Sequence, residues 1–437
     1  MKKIRFFSTV VMILLIAINY SGSVAETAGV SVYAGPGFTA DGLTCVLDGK
    51  VCFCDYAEGS CVPLCTRLDC DHSVPDINYL ISHYDNSWDI MEDDTVCYAA
   101  RLRKSTDVTP IILGHKIYYA RVEPDYDNDR QDLTIWESEV DGPSRLIARL
   151  DQWFPGCDSL MINEMMISDG TLFISTHLFP ENSDTNGATE KEMLIKVSIA
   201  TGEAALLYEI DAQYCETRLM NCVENVLYFV VEEADGFTPL DPEVAEKGTD
   251  EQLKAYYREF DSKLLHSIMG IQTETGEPVI LDNRLIHMKR EFAWDFEICK
   301  DHYLYASLIP QTPDEKNAVL MKFDLTERKL ISEYPYTYYE DTTYYPYCVL
   351  TDDTVLDFSL ELGKFAVHNL QTGEVKVLDI RGDSIYGANT DVYKIYSYLW
   401  QPDPILLYHY YPDDTQKMAY IYTEDLLEGN TAVRDFK

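Results

Sequence analysis

The sequence predicts an all-β fold, a β-propeller of about seven blades with about four short strands each. Two recurring patterns support this prediction. The first is an acidic or glycine-containing turn followed by a strand rich in tyrosine, leucine and isoleucine, as in "SDGTLFIST" from residue 168. The second is a pair of alternating strands joined by a tight turn, as in "MLIKVSIATGEAALLYEI" from residue 193. Alternation on both sides of a turn is typical of a hairpin with one buried face.

The spacing of the first pattern sets the expected number of blades. It recurs near residues 49, 114, 169, 224, 301, 353 and 403. A sheet of four short strands cannot bury its own faces, whereas radial stacking of several sheets buries both faces and limits exposed edges. Six or eight blades, and an array of β-sandwiches, are the alternatives. The regular spacing without linkers favours the propeller.

Residues 1–25 have the features of a secretory signal peptide, so we expect one propeller domain over residues 26–437. Basic residues precede an apolar run from residue 6 to residue 18, and small residues at 23–25 offer a cleavage site. The apolar run is too short for a stable membrane span, and no later stretch is long enough. We therefore expect a secreted or cell-surface bacterial protein.

The net charge of the chain limits the classes of partner that we expect it to bind. The formal net charge is −39 over 437 residues. Nucleic acids and anionic membrane surfaces attract clustered Lys and Arg, so this balance argues against both. The partners that remain are an extracellular protein or a glycan.

One segment departs from the strand pattern, a helical insertion at about residues 240–267. In the stretch "GTDEQLKAYYREFDSKLLHS", Thr249 and Gln252 form a capping-box pattern near the start. An apolar stripe follows at helical spacing: Leu253, Tyr256, Tyr257, Phe260, Leu264 and Leu265. The helix either packs on the rim of the propeller or offers a docking surface.

A cysteine-rich segment, "VCFCDYAEGSCVPLCTRLDCDH", spans residues 51–72. A two-residue turn at Glu58-Gly59 would place Cys52 opposite Cys65. Strand parity would then put Cys52, Cys54, Cys61 and Cys65 on one face of the hairpin. Cys70 and His72 follow closely enough to fold back over that face.

Three interpretations fit this segment. The metal interpretation is a structural zinc site that joins Cys65, Cys70 and His72 to one hairpin cysteine, for which we choose Cys61. The second interpretation is a disulfide, such as Cys52 with Cys65. The third is a set of buried free thiols that pack as small apolar side chains.

The repeat pattern together with "PLCTRLDCDH" resembles a group of exported bacterial propeller-like proteins of unknown function. In that group a C-x(4)-C-x-H segment ends the first blade and is often followed by another cysteine. Cys65, Cys70 and His72 match the segment, whereas "SVPDINYL" follows in place of the further cysteine. The resemblance implies a scaffold and no particular activity.

Aromatic residues near the C-terminus suggest a ligand-binding surface. Exposed aromatic rings beside acidic groups suit the apolar faces of sugars, although packing within strands is the alternative. The residues chosen for this surface are Tyr338, Tyr339, Tyr344, Tyr345 and Trp400.

The sequence contains no G-x-S-x-G, no H-E-x-x-H and no phosphate-binding glycine loop. We therefore expect a secreted binding scaffold for a protein or glycan, without catalysis. One alternative is a carbohydrate-active enzyme with carboxylates at the mouth of the central channel. Another is a sensor or assembly subunit that docks through the helical insertion.

Overall fold

The structure is a computed structural model, and it describes part of the chain. The described residues are 32–33, 42–47, 49–55, 58–75, 95–104, 110–113, 116–125, 130–154, 159–179, 190–238, 240, 244, 248–289, 297–308, 317–337, 344–359, 363–381, 392–395, 404–411 and 416–437.

The described strands form seven antiparallel sheets that succeed one another along the chain. In chain order they are β1 (Val32–Tyr33); β2 (Gly42–Leu47), β3 (Lys50–Asp55) and β4 (Ser60–Pro63) in blade 1; β5 (Ile111–Leu113), β6 (Lys116–Asp125), β7 (Arg130–Glu139) and β8 (Arg145–Arg149) in blade 2; β9 (Ser159–Ser168), β10 (Thr171–Phe179), β11 (Glu190–Ser198) and β12 (Ala204–Ala212) in blade 3; β13 (Tyr214–Val223), β14 (Val226–Ala234), β15 (Leu265–Gln272), β16 (Pro278–Val279) and β17 (Met288–Lys289) in blade 4; β18 (Glu297–Lys300), β19 (Tyr303–Leu308), β20 (Asn317–Asp324) and β21 (Lys329–Thr337) in blade 5; β22 (Tyr344–Thr351), β23 (Thr354–Ser359), β24 (Lys364–Asn369) and β25 (Val375–Arg381) in blade 6; and β26 (Val392–Ile395), β27 (Ile405–Tyr410), β28 (Gln416–Ile421) and β29 (Arg434–Asp435) in blade 7. Three α-helices accompany them: α1 (Tyr98–Lys104), α2 (Asp250–Lys263) and α3 (Thr423–Glu428).

The prediction of a β-propeller with seven blades is confirmed. The first sequence pattern covers the turn before the second strand of each blade and most or all of that strand, from β3 in blade 1 to β27 in blade 7. The second pattern forms the third and fourth strands, for example β11 and β12. Blade 1 departs from the expected four strands, since its described sheet has only three.

Hydrophobic contacts join each blade to the next, and blade 7 returns to blade 1. Phe436 and Tyr420 of blade 7 belong to the same buried cluster as Cys45 of blade 1. The backbone N–H of Lys437 donates to the Gly59 carbonyl at 2.7 Å. The two ends of the blade series therefore meet, which is how a propeller avoids open sheet edges.

The short strand β1 adds to blade 3 rather than to blade 1. It pairs with β9, the first strand of that blade, with Val32 opposite Ile167 and Tyr33 opposite Met166. The sheet order is β1-β9-β10-β11-β12, so β1 lies at the edge of blade 3, beside its first strand. An early segment of the chain thus extends blade 3 to five strands.

The helical insertion is confirmed as α2, which lies between β14 and β15. Thr249 caps the helix with a capping box, in which the Thr249 hydroxyl accepts from the Gln252 N–H and the Gln252 side chain accepts from the Thr249 N–H. Phe260 packs edge-on against Tyr214 at 5.0 Å and against Phe237 at 5.1 Å between ring centroids. The apolar stripe therefore fastens the helix to blade 4.

Candidate metal centre

The candidate metal centre lies at the end of blade 1, where the chain leaves β4. The Leu64 N–H donates to the Val51 carbonyl at 2.9 Å, which keeps the chain against β3 for one more residue. Beyond it, the Cys70 N–H donates to the Arg67 carbonyl at 3.4 Å and closes a turn. This turn brings Cys70 back toward Cys65.

The fourth member of the group is Cys97, which immediately precedes α1. The N–H groups of Ala100 and Arg101 donate to the Cys97 carbonyl, so the first helical turn sets the position of this residue. Its sulfur lies 3.5 Å from Nδ1 of His72. The helix therefore places the Cys97 thiol beside His72, which lies 25 residues earlier in the sequence.

The four side chains Cys65, Cys70, His72 and Cys97 converge on one point. Each offers a ligand atom, and these atoms all lie within 4.8 Å of one another. Tetrahedral zinc with sulfur at about 2.3 Å and nitrogen at about 2.0 Å places its ligands roughly 3.5–3.8 Å apart. The group is therefore suited to hold a metal ion after small adjustments of its side chains.

Local contacts affect the sulfurs of this group in opposite directions. The backbone N–H of His72 donates to the Cys70 sulfur at 3.4 Å, a bond that a thiolate accepts better than a thiol. Burial raises the pKa of Cys97 to about 12, and the nearby Cys70 and Cys65 sulfurs add to the effect. Without a cation, Cys97 is therefore a neutral thiol at ordinary pH.

The centre also connects blade 1 to blade 2. Thr66, the residue after Cys65, donates from its N–H and its hydroxyl to one carboxylate oxygen of Asp141, at 2.6 Å and 2.5 Å. Asp141 lies in the turn between β7 and β8. The Tyr98 hydroxyl, at the start of α1, lies 2.9 Å from the Ser138 hydroxyl. Both sides of the centre are thus anchored on the second blade.

The choice of Cys61 as the fourth ligand is wrong. Cys61 forms a disulfide with Cys54, which lies directly opposite it across β3 and β4. Cys52, Cys54 and Cys61 do share one face of the hairpin, as parity predicted, and this face packs against blade 7. Cys65 instead packs with Val51, on the opposite face.

The physical reason is the length of the hairpin loop. Asp55 pairs with Ser60, so four residues separate the strands instead of the two expected. Cys52 therefore lies opposite Pro63, and the predicted pairing of Cys52 with Cys65 does not occur. Cys65 lies beyond the end of β4 and is free to turn toward α1. The one sequence signal for Cys97 was a cysteine directly before the helix-favouring run "YAARLRK".

The proposed sugar-binding surface stays a prediction. Tyr338, Tyr339 and Trp400 lie outside the described residues. Tyr344 and Tyr345 lie in β22, but their side chains are not among those described.

A buried ion network joins blades 4 and 5. His266 on β15 lies directly opposite Glu232 on β14, with Nδ1 3.2 Å from the Glu232 carboxylate. Its Nε2 lies 2.5 Å from the carboxylate of Glu297 on β18. Arg218 approaches both carboxylates, at 3.6 Å and 3.7 Å. Burial tends to raise the pKa of Glu297, but His266 and Arg218 outweigh it and hold this pKa below its usual value.

A second buried network joins blades 3 and 4 around Glu192 on β11. One carboxylate oxygen of Glu192 accepts from the Asn163 amide at 2.8 Å and lies 2.6 Å from His177 Nδ1. The other accepts from the Thr217 hydroxyl and N–H, at 2.5 Å and 3.2 Å. Burial disfavours the charged form of His177, but Glu192 and Glu190 outweigh this effect and raise its pKa.

Glu164 on β9 lies beside this second network. It is 4 % exposed and accepts a 2.5 Å hydrogen bond from the Leu219 N–H of blade 4. Burial raises the pKa of Glu164 to about 8, against the opposing effects of the Leu219 hydrogen bond and the Arg218 charge. Glu164 is therefore largely protonated near neutral pH.

The fold and the candidate metal centre define a β-propeller with a cysteine–histidine group at the end of its first blade. No protein-family model matches the sequence, and no curated protein matches it. Among solved structures, the chain is similar to the β-propeller domain of the Trilobed protease from Pyrococcus furiosus, at 9% identity and TM-score 0.41, over 96% of this chain and 95% of that one. It is also similar to the Pyrococcus horikoshii acylaminoacyl peptidase, at 12% identity and TM-score 0.41, over 75% of this chain.

The chain spans 45% of the length of that peptidase. A third similar structure is an uncharacterised protein from Listeria monocytogenes EGD-e, at 11% identity and TM-score 0.38, over 74% of this chain and 79% of that one. At these identities the likeness concerns the fold alone.

The interpretation of the chain as a non-catalytic binding scaffold is wrong. The similar solved structures are mostly peptidases that contain a propeller, rather than ligand-binding scaffolds. Across the described residues, the helices are all too short or too polar to cross a membrane.

Proposed function

We propose that the protein binds one structural zinc ion through Cys65, Cys70, His72 and Cys97. The observation that carries this proposal is the convergence of four ligand atoms within 4.8 Å of one another. Three sulfurs and one imidazole nitrogen are ligands that zinc favours. Magnesium, calcium and manganese favour oxygen ligands instead. Four protein ligands leave no open position for a substrate, which indicates a structural rather than a catalytic ion.

The role of the ion is to hold the end of blade 1 against α1 and blade 2. The described sheet of blade 1 has three strands of six, six and four residues. A small sheet has little apolar area to bury, and a metal that bridges residues distant in sequence adds stability to it. Zinc at a thousand times its dissociation constant would stabilise the folded state by about 4 kcal/mol.

Zinc content and thiol reactivity test the proposal. We expect one zinc ion per chain by elemental analysis and almost none in Cys97→Ala. Cys222→Ala is the matched control, because Cys222 is buried in blade 4, away from the centre, and should keep the full zinc content. The thiols of Cys65 and Cys70 should react with a thiol reagent only after a chelator is added. Equal zinc content in the two variants, or equal reactivity without chelator, would sink the proposal.

We also propose that the chain is exported and loses residues 1–25. The support is the basic start, the apolar run from residue 6 to residue 18 and the small residues at 23–25. N-terminal sequencing of the protein recovered outside the cytoplasm should begin at Glu26. A mature protein that begins at Met1 would contradict the proposal.

A further inference from the structure

The opposite face of blade 1 carries a second sulfur cluster, which the zinc proposal does not use. Cys45 on β2 lies directly opposite Cys52 on β3, and Cys54 on β3 lies directly opposite Cys61 on β4. Residues two apart on a strand share a face, so these four cysteines point to the same side of the sheet. That side packs against blade 7.

Three of these sulfurs form a compact group. Cys45, Cys54 and Cys61 each offer a sulfur, and all three lie within 4.8 Å of one another. The Cys45 sulfur is 3.6 Å from that of Cys54, which is bonded to Cys61 in a disulfide. The fourth cysteine, Cys52, is not part of the group, and its thiol donates to the Lys50 carbonyl at 3.8 Å.

The shape of the group distinguishes two kinds of chemistry. If Cys45 attacked the disulfide at Cys54, the three sulfurs would lie in line, with Cys45 and Cys61 about 5.6 Å apart. The observed limit of 4.8 Å is shorter, so the sulfurs form a triangle rather than a line. A triangle of sulfurs is the arrangement that surrounds a three-coordinate metal ion.

The surroundings favour a soft metal. Cys45 and Cys54 are fully buried, and their neighbours in the cluster are Met418, Tyr420 and Phe436. The group that could hold an ion here contains sulfur atoms only. Thiolate ligands without oxygen or nitrogen partners select soft ions such as Cu(I), and three of them lack the fourth ligand of a structural zinc site.

We propose that Cys45, Cys54 and Cys61 bind one Cu(I) ion when the Cys54–Cys61 disulfide is reduced. A dithiol reductant gives two electrons and two protons to the disulfide, which becomes two thiols while the reductant becomes a disulfide. Cu(I) then binds the three sulfurs and displaces thiol protons to solvent. The Cys54–Cys61 disulfide and the copper-binding group are therefore mutually exclusive states of the same sulfurs.

The group also borders the closure of the ring. The Cys61 N–H donates to the Lys437 carbonyl at 3.2 Å, and the Lys437 N–H donates to the Gly59 carbonyl. Opening the disulfide lets the Cys61 sulfur move relative to Cys54, and copper holds all three strands of blade 1 together again. The C-terminal residue Lys437 is therefore hydrogen-bonded beside the disulfide that opens.

Copper titration of the zinc-loaded, full-length chain tests the proposal. The chain is reduced under argon, the reductant is removed, and Cu(I) is supplied from its bicinchoninate complex. We expect one Cu(I) bound with no zinc released, and at least a tenfold lower affinity in Cys45→Ala. Cys222→Ala is the control and should match the unaltered chain. The unreduced chain should bind no Cu(I) at this affinity.

X-ray absorption at the copper edge gives a readout that does not depend on the variants folding. Three sulfur neighbours are expected in the unaltered chain. Two sulfur neighbours, equal copper affinity in Cys45→Ala, or release of one zinc for each copper bound would each overturn the proposal. The zinc ligands lie on the other face of the blade, so zinc content reports on that centre separately, and either proposal can fail alone.

Discussion

Replacing His266 with alanine is expected to destabilise the protein by about 3–5 kcal/mol, the usual cost of removing one partner from a buried ion network. His266 is 1 % exposed and lies between Glu232 of its own blade and Glu297 of the next. Without the imidazole, two buried carboxylates share one guanidinium, that of Arg218, at 3.6 Å and 3.7 Å. The uncompensated charge, rather than the lost volume, dominates the cost.

Urea unfolding followed by tyrosine and tryptophan fluorescence measures the effect. His302→Ala is the matched control, because His302 is exposed in the turn before β19 and should change stability by less than about 0.5 kcal/mol. If His266→Ala unfolds within about 1 kcal/mol of the unaltered chain, the network does not hold blades 4 and 5 together.

The His266 variant should also respond differently to acid. The pKa of Glu297 is held below its usual value, so Glu297 stabilises the fold above the pKa of an unfolded glutamate, and this contribution is lost as pH falls through the lower, folded pKa. Because His266 is a main cause of the depressed pKa, its removal should abolish this contribution. The difference in stability between variant and unaltered chain is therefore expected to shrink toward low pH.

Replacing Glu164 with glutamine is expected to stabilise the protein at alkaline pH and to leave it nearly unchanged near pH 4. The folded pKa of Glu164 is raised to about 8, mainly by burial. A raised carboxyl pKa means that the folded state binds the proton more tightly than the unfolded state does. Stability from this group is thus fully present below the unfolded pKa and is lost as pH rises through the folded value. Above pH 9 the difference should be on the order of 3–5 kcal/mol.

Glutamine suits this test because it keeps the acceptor for the Leu219 N–H but does not ionise. Melting temperatures of both chains from pH 4 to pH 9 should diverge as pH rises, with the variant higher. Glu277→Gln, at an exposed turn, is the control and should follow the unaltered chain throughout. Parallel curves for Glu164→Gln and the unaltered chain would mean that Glu164 does not take up a proton on folding.

Strand patterning and the seven recurring turns were sufficient to predict the propeller. The reason is that the residues that specify a hairpin lie close together in sequence. Its alternating strands and turn residues all fall within about twenty residues, as in β11 to β12. The capping box and apolar stripe of α2 are local in the same sense, and they placed the helix correctly. The C-x(4)-C-x-H segment likewise contains three members of the candidate metal centre.

Contacts between distant segments could not be predicted in this way. Cys97 joins the centre only because α1 packs beside blade 1, and its identity as a partner of His72 depends on that packing. Cys61 was assigned to the wrong group because a four-residue loop moved the hairpin register by two residues, which sequence parity alone does not detect.

The contrast between local patterns and long-range contacts is clearest in the buried ion networks. Glu164, Glu232 and Glu297 lie outside the strand patterns recognised in the sequence, and their charge is that expected of solvent-facing positions. Their burial is decided when one blade covers the next, because the partner that neutralises each carboxylate or donates to it comes from a neighbouring strand or blade. Local periodicity thus determined the blades, whereas the chemistry between blades arose only from their tertiary arrangement around the ring.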